Sequence, residues 1–212
     1  VVGATATAHW TWDADDNEAT HTTPNGALIT SLHDALNRRT HQTIDSVAPG
    51  EVSATHWVRD GNANLVAVHE TVQGAGTRTE SRRYEAFDRL ESVTDPFGKT
   101  LGYGYDAVGN RISLTDAEGL ETIYTYDALN HNREVRLPGP GTTTQTWFAS
   151  GRLDTLTRPD ASTSVHTYDA AGRIETIRHA NPGGEIAHLR YRYDLNGNRI
   201  ELIRRPFEFY DG

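Results

Sequence analysis

The sequence predicts an all-β chain, an antiparallel β-meander of short strands that curls into a strip. Three observations predict it. A nine-residue stretch, Tyr103-Gly104-Tyr105-Asp106-Ala107-Val108-Gly109-Asn110-Arg111, returns as Tyr191-Arg192-Tyr193-Asp194-Leu195-Asn196-Gly197-Asn198-Arg199 and, shortened, as Tyr168-Asp169-Ala170-Ala171-Gly172-Arg173. Aligned on the aromatic before the Asp, the copies start at Trp12, His33, Trp57, Tyr84, Tyr105, Tyr126, Trp147, Tyr168 and Tyr193, with spacings of 21, 24, 27, 21, 21, 21, 21 and 25. A fixed period near this length signals a repeat architecture. Finally, no long segment shows a capped 3.6-residue apolar period, so helix is not expected.

Each copy reads as two strands and two turns. The strand entering the turn alternates its aromatics onto one face: Tyr103 and Tyr105, Tyr124 and Tyr126, Tyr191 and Tyr193. The acidic residue that follows can accept backbone N–H groups two residues on and hold the turn shut. Asp106, Asp127, Asp169 and Asp194 take that role. Four residues after the aromatic, every copy has Gly, Asn or Asp, the types that most easily enter left-handed geometry. In the regular copies these are Gly109, Asn130, Gly151, Gly172 and Gly197. After the turn, Ile112 and Leu114 alternate again, and Asp116-Ala117-Glu118-Gly119 turns the chain back toward Thr122-Ile123-Tyr124.

Two stretches are expected within one continuous sheet: degenerate repeats over 1–80 and regular repeats over 81–212. In the first, Trp10-Thr11-Trp12-Asp13 replaces the Tyr pair, and His33-Asp34-Ala35-Leu36-Asn37-Arg38 keeps the turn without the aromatic. Trp57-Val58-Arg59-Asp60-Gly61 reads as a copy that has lost its Asp, and the connection at Gln73-Gly74-Ala75-Gly76 as long and flexible. In the second, Asn181-Pro182-Gly183-Gly184 reads as a lengthened turn. Nine copies imply about 18 short strands. At roughly 4.8 Å per strand the ribbon would be about 85 Å wide and about 17–20 Å high. Sheets so wide curl, and barrels of about 16–18 strands are too wide for side chains to fill, so a wall around a space is expected.

Composition narrows the function classes. A formal net charge of −9, with only isolated Arg pairs, argues against nucleic acid or an anionic membrane surface as partner. No apolar run approaches the roughly 20 residues of a membrane helix, so this segment is not expected to insert. There is no Cys, hence no disulfide or thiolate metal site. The chain starts at Val1, and Tyr210-Asp211-Gly212 begins a tenth aromatic–Asp step, so a piece of something longer is expected.

These residues resemble the RHS, or YD-repeat, family. The Tyr-x-Tyr-Asp-x-x-Gly-Asn-Arg copies at 103–111 and 191–199, and the shorter copy at 168–173, carry the resemblance, which is strong over 84–205 and weaker over 10–70. It implies a β-strip spiralling into a hollow shell, commonly around the toxic C-terminal domain of bacterial polymorphic toxins or insecticidal toxin complexes. The implied function is a structural wall segment enclosing a toxin or other cargo polypeptide. Its partners would be the rest of the shell or a neighbouring chain, and its setting secreted or cell-surface and bacterial. Related repeats in cell-surface adhesion proteins make a carbohydrate- or protein-binding module the alternative.

No catalytic, metal or cofactor-binding residue is assigned. The ladder of Tyr84, Tyr103, Tyr105, Tyr124, Tyr126, Trp147, Tyr168, Tyr191 and Tyr193 could stack sugars, but cross-strand packing explains its regularity without a ligand. The Asp column is the repeat pattern itself, which favours turn capping over acid–base work. The ten His show no metal-binding spacing, and no Ser-His-Asp order, phosphate loop or nucleophile elbow appears. A second alternative is self-cleavage: Asp95-Pro96-Phe97-Gly98 and Asp116-Ala117-Glu118-Gly119 superficially resemble the paired Asp-Pro-x-Gly motifs of the family's aspartyl processing region. They lie 21 residues apart in one repeat column, the second lacks Pro, and tight turns need the same residues.

Overall fold

The computed structural model describes residues 7–206, and the start of a tenth copy at Tyr210 lies outside them. All regular structure among these residues is β, in 18 strands, the number the repeat count implies. The chain forms two compact units, one up to Gly102 and one from Tyr103.

The first unit contains β1 (His9–Trp12), β2 (Glu18–Thr22), β3 (Leu28–His33), β4 (Arg39–Ile44), β5 (Val52–Arg59), β6 (Leu65–Val72), β7 (Gly76–Tyr84), β8 (Leu90–Thr94) and the start of β9 (Thr100–Tyr105). Each strand pairs antiparallel with the next in sequence, as a meander requires. The second unit takes the end of β9 and continues through β10 (Arg111–Thr115), β11 (Glu121–Tyr126), β12 (Asn132–Arg136), β13 (Thr142–Trp147), β14 (Leu153–Thr157), β15 (Thr163–Tyr168), β16 (Ile174–Asn181), β17 (Gly184–Tyr193) and β18 (Arg199–Pro206). From β10 onward the same nearest-neighbour antiparallel pairing holds.

Neither unit has a conventional core. Among the described residues only Val72, Ala187, Ser31, Ser162 and Ser164 are buried, and most strand residues are half-buried. Cohesion therefore rests on ladder hydrogen bonds and on side chains facing each other across strands, such as Thr11 with Thr20 (2.6 Å) and Thr167 with Thr176 (2.7 Å).

At two of the irregular spacings the extra residues are absorbed in strands and not in loops, which corrects two expectations. β16 and β17 run 8 and 10 residues and stay paired out to Asn181 and Gly184, so Asn181–Gly184 is a tight turn at the end of a longer hairpin. Likewise, Val72 pairs with Gly76 across a three-residue loop, and β5, β6 and β7 extend to 8, 8 and 9 residues. Val- and Thr-rich segments lengthen more cheaply as paired strands, which satisfy their own N–H and C=O groups, than as loops.

Candidate functional site: the turn and aromatic ladders

One five-residue turn recurs. In Asp106–Asn110 the Asp106 N–H donates to the Asn110 carbonyl (2.9 Å) and the Gly109 N–H to the Asp106 carbonyl (3.2 Å). Asp106 Oδ1 accepts the N–H groups of Val108 (3.1 Å) and Asn110 (2.8 Å), while Asn110 Nδ2 donates to Oδ2 (2.9 Å). Gly109 has φ +99°, the left-handed residue of a bulged three-residue hairpin loop. Asp127, Asp169 and Asp194 accept the corresponding N–H pairs, from Leu129 and His131, Ala171 and Arg173, and Asn196 and Asn198. Asn130, Gly151, Gly172 and Gly197 stand at the left-handed position of their own turns. At the other end of the aromatic step, the ladder slips register just before Trp12, His33, Tyr84, Tyr126, Trp147, Tyr168 and Tyr193.

These bonds hold the carboxyls below their ordinary value. The largest cause is the Asn110 side chain for Asp106, the His131 N–H for Asp127, the Arg173 N–H for Asp169 and the Asn198 side chain for Asp194. At Asp34 the Arg38 side chain, then its N–H, lowers the carboxyl to about 2. Carboxylates so firmly ionised are acceptors, not proton donors.

The third copy is registered differently from the sequence alignment. Its turn is Asp60–Asn64: Asp60 N–H donates to Asn64 O (3.0 Å), and Asp60 Oδ1 accepts the N–H groups of Asn62 (3.0 Å) and Asn64 (2.9 Å). Ala63, at φ +75°, is the left-handed residue, and Gly61 is not. The copy has kept its Asp, and Trp57 sits inside β5 opposite Val68. Aligning on the aromatic misplaced the turn because β5 runs two residues past Trp57. With this register every copy has an acid at the turn's first position except one, where Phe148 stands. There the backbone bonds alone make the turn: Phe148 N–H to Arg152 O and Gly151 N–H to Phe148 O, both 2.9 Å.

Two of the opposite hairpin ends use the same device. Asp95 Oδ1 accepts N–H groups from Phe97 (2.8 Å) and Lys99 (2.9 Å), and Asp116 Oδ1 from Glu118 (3.0 Å) and Leu120 (2.8 Å).

Five aromatics of the column are clipped to the preceding copy. Tyr84, Tyr126, Tyr168 and Tyr193 donate their hydroxyls to the carbonyls of Leu65 (3.1 Å), Arg111, Leu153 and Ile174 (2.9 Å each), and Trp147 donates Nε1–H to Asn132 O (2.8 Å). In the third copy Arg59 fills the position and donates to Arg39 O (3.1 Å). The column thus selects a ring or fork with a donor at its tip. Of the other ladder members, Tyr103 and Tyr105 are half-buried on β9. Tyr124 and Tyr191 lie under the guanidinium groups of Arg111 (4.8 Å) and Arg199 (5.8 Å).

The fifth turn residue was missed in the sequence. Asn17, Arg38, Asn64, Arg89, Asn110, His131, Arg152, Arg173 and Asn198 are all donors, and that uniformity was the available signal. Most bind the acid of their own turn, as Arg173 binds Asp169 (2.7 Å) and Asn198 binds Asp194 (3.0 Å). Several also lean on the next turn: Asn17 bonds Asn37, Asn110 bonds Asn130, and Arg173 bonds the Asp194 carbonyl. His131 stacks on Trp147 (4.9 Å) and Arg173 lies over Tyr193 (4.6 Å).

Two further clusters stand out. His41, His56 and His69 face one another across β4, β5 and β6, with ring centroids 4.0 and 5.7 Å apart. Burial, then His41 and His69, lowers the His56 pKa. Ser164 Oγ meets His179 Nδ1 (2.8 Å) and Arg158 (3.1 Å), but at 2 % exposure that hydroxyl is closed to a substrate. Among the described residues no group of three or more His, Asp or Glu is placed to hold a metal ion.

The geometry defines a class: an all-β repeat protein built from aromatic–Asp hairpin turns. Residues 84–121 and 105–139 match the RHS repeat family model. Over those residues the chain carries the repeat of the RHS, or YD-repeat, proteins. A crystal structure of TcdB2-TccC3 superposes with TM-score 0.64 at 17% identity, covering 94% of this chain and 12% of that one. A Photorhabdus luminescens Tc holotoxin pore with a mutated TccC3 gives TM-score 0.63 at 17% identity, over 94% of this chain and 11% of that one. TcdB2-TccC3 without its hypervariable C-terminal region gives 0.62 at 16% identity, over 93% and 11%. At such identities the likeness is one of fold, and the chain spans only 11–12% of those chains' length. No curated protein matches the chain.

Proposed function

We propose that this chain is a structural wall segment of an RHS shell that encapsulates a toxin or other cargo polypeptide. One observation carries the reading. The turn carboxylates close their own hairpin turns, five aromatic tips and Arg59 bond back to the preceding copy, and several fifth-position donors reach the next turn, which leaves these groups as fittings of a wall. The residues Asp106, Gly109, Asp127, Asn130, Gly151, Asp169, Gly172, Asp194 and Gly197 are then structural turn residues, and the Tyr/Trp ladder a structural clip. The segment performs no catalysis in this reading. Asp95 and Asp116 each spend one carboxylate oxygen on two N–H groups of their own turn, which favours turn closure over self-cleavage. The neighbours of this strip are the remaining shell or an adjoining chain, the enclosed partner is a toxin domain, and the setting is secreted or cell-surface and bacterial, as for the Tc toxin relatives.

The test is protease protection in the full-length protein. A cargo segment held inside an intact wall resists cleavage until mild denaturant opens the sheet. Cleavage of that segment at the same rate before and after opening would overturn the proposal.

A further inference from the structure

Among the nine turns that follow the aromatic column, the one without an acid leaves a cation uncompensated. Arg152 occupies the fifth position of the Phe148–Arg152 turn, where Arg38 and Arg173 pair with Asp34 (2.8 Å) and Asp169 (2.7 Å). With Phe148 in the acid's place, the Arg152 guanidinium has no hydrogen-bond or ion-pair partner among the described residues. It lies over the Tyr168 ring at 5.4 Å and against the backbone at Gly172. Phe148, 42 % exposed, meets Tyr168 edge-on at 6.0 Å. Together with Ser150 and Thr167 these residues line an open cavity of about 320 Å³.

We infer that this cavity is a binding site for a carboxylate, supplied by the side chain of an acidic peptide segment. A half-buried guanidinium presents a planar donor fork that matches a carboxylate with two parallel bonds. The aromatic walls of Phe148 and Tyr168 lower the local dielectric, which strengthens such a pair relative to the same pair in water. The cavity is at the small end of ligand sites and fits one side chain. A peptide is the source favoured by the fold itself, because in the sister turns the partner of this position is an Asp or Glu side chain. Arg173 is the internal reference: same position, same overlying aromatic contact through Tyr193, but its carboxylate is already in place.

Saturation-transfer NMR on the full-length protein tests the site, with acetyl-Ala-Glu-Ala-amide, acetyl-Ala-Gln-Ala-amide and sialyllactose as separate probes. The glutamate peptide is expected to bind and the glutamine peptide not. In Arg152→Gln, binding is expected to weaken by about tenfold or more, the loss of a charge-assisted contact. Phe148→Asp supplies the missing acid in cis and is expected to abolish binding while folding at least as well as the parent, so the test survives if Arg152→Gln fails to fold. Equal signals from the two peptides, binding retained in Phe148→Asp, or binding of sialyllactose alone would each overturn the assignment.

Discussion

The Tyr168 hydroxyl donates to the carbonyl oxygen of Leu153 at 2.9 Å, spanning 15 residues and tying one repeat to the one before it. Tyr168→Phe removes only that donor and leaves a half-buried carbonyl unpaired. A loss of about 0.5–1.5 kcal/mol is expected, read from the denaturant midpoint. Tyr168→Trp should lose less, because Trp147 makes the equivalent bond through Nε1. A Phe variant as stable as the parent would leave the clip without energetic weight.

Gly172 has φ +80°, and a Cβ built there would lie 2.6 Å from the Arg152 guanidinium. Any side chain costs about 1–2 kcal/mol in this geometry, and a β-branched one more. Asn130 holds the same turn position at φ +63°. Gly172→Val should therefore melt well below Gly172→Asn in a thermal scan; coincident transitions would contradict the turn geometry.

Ala161 and Ala63 occupy the left-handed position at φ +61° and +75°. Replacing Ala161 with Gly relieves that strain but adds freedom to the unfolded chain. The net gain expected is about 0.5–1 kcal/mol, measurable by equilibrium unfolding. A destabilised Ala161→Gly variant would be inconsistent with strain at this site.

Stability should fall with acid in two stages. His56 and His179 have pKa values below 6.5, in both cases chiefly from burial, so the unfolded chain binds their protons first. The stability they contribute is full above pH 6.5 and falls as the pH drops below it. The turn carboxylates are also lowered, from 3.8, so their contribution is present above that value and is lost as pH falls through the folded values, about 2 for Asp34. Unfolding midpoints measured from pH 7.5 to pH 2 should decline in both windows. Removing the upper decline with His56→Gln and His179→Gln checks its origin; a flat profile between pH 7 and pH 5 in the parent would exclude it.

Much of this fold was legible because the turn is local. The Asp, the left-handed residue and the alternating aromatics all act within a few positions of one another, so a single copy announces the hairpin. What lay hidden depends on pairs of copies. Nothing local at Arg59 says that it replaces a tyrosine hydroxyl, since its acceptor, the Arg39 carbonyl, lies 20 residues back. The Asp60 turn was misread because strand length varies freely while the ladder stays paired, and the extra residues left no loop to mark them. Phe148 interrupts the acid column, and the effect of that appears only where Arg152 meets Tyr168.

The clips also have a direction. Five aromatic tips reach back to a carbonyl of the preceding hairpin, and several fifth residues lean forward onto the next turn. A hairpin emerging from the ribosome therefore meets its acceptor already displayed by the segment made just before it. Growth can proceed by zippering from the N-terminal side, each addition requiring only contacts of short sequence separation. A meander assembled this way needs no distant strand to wait for, so the time its sticky growing edge stays exposed is set by translation of one hairpin.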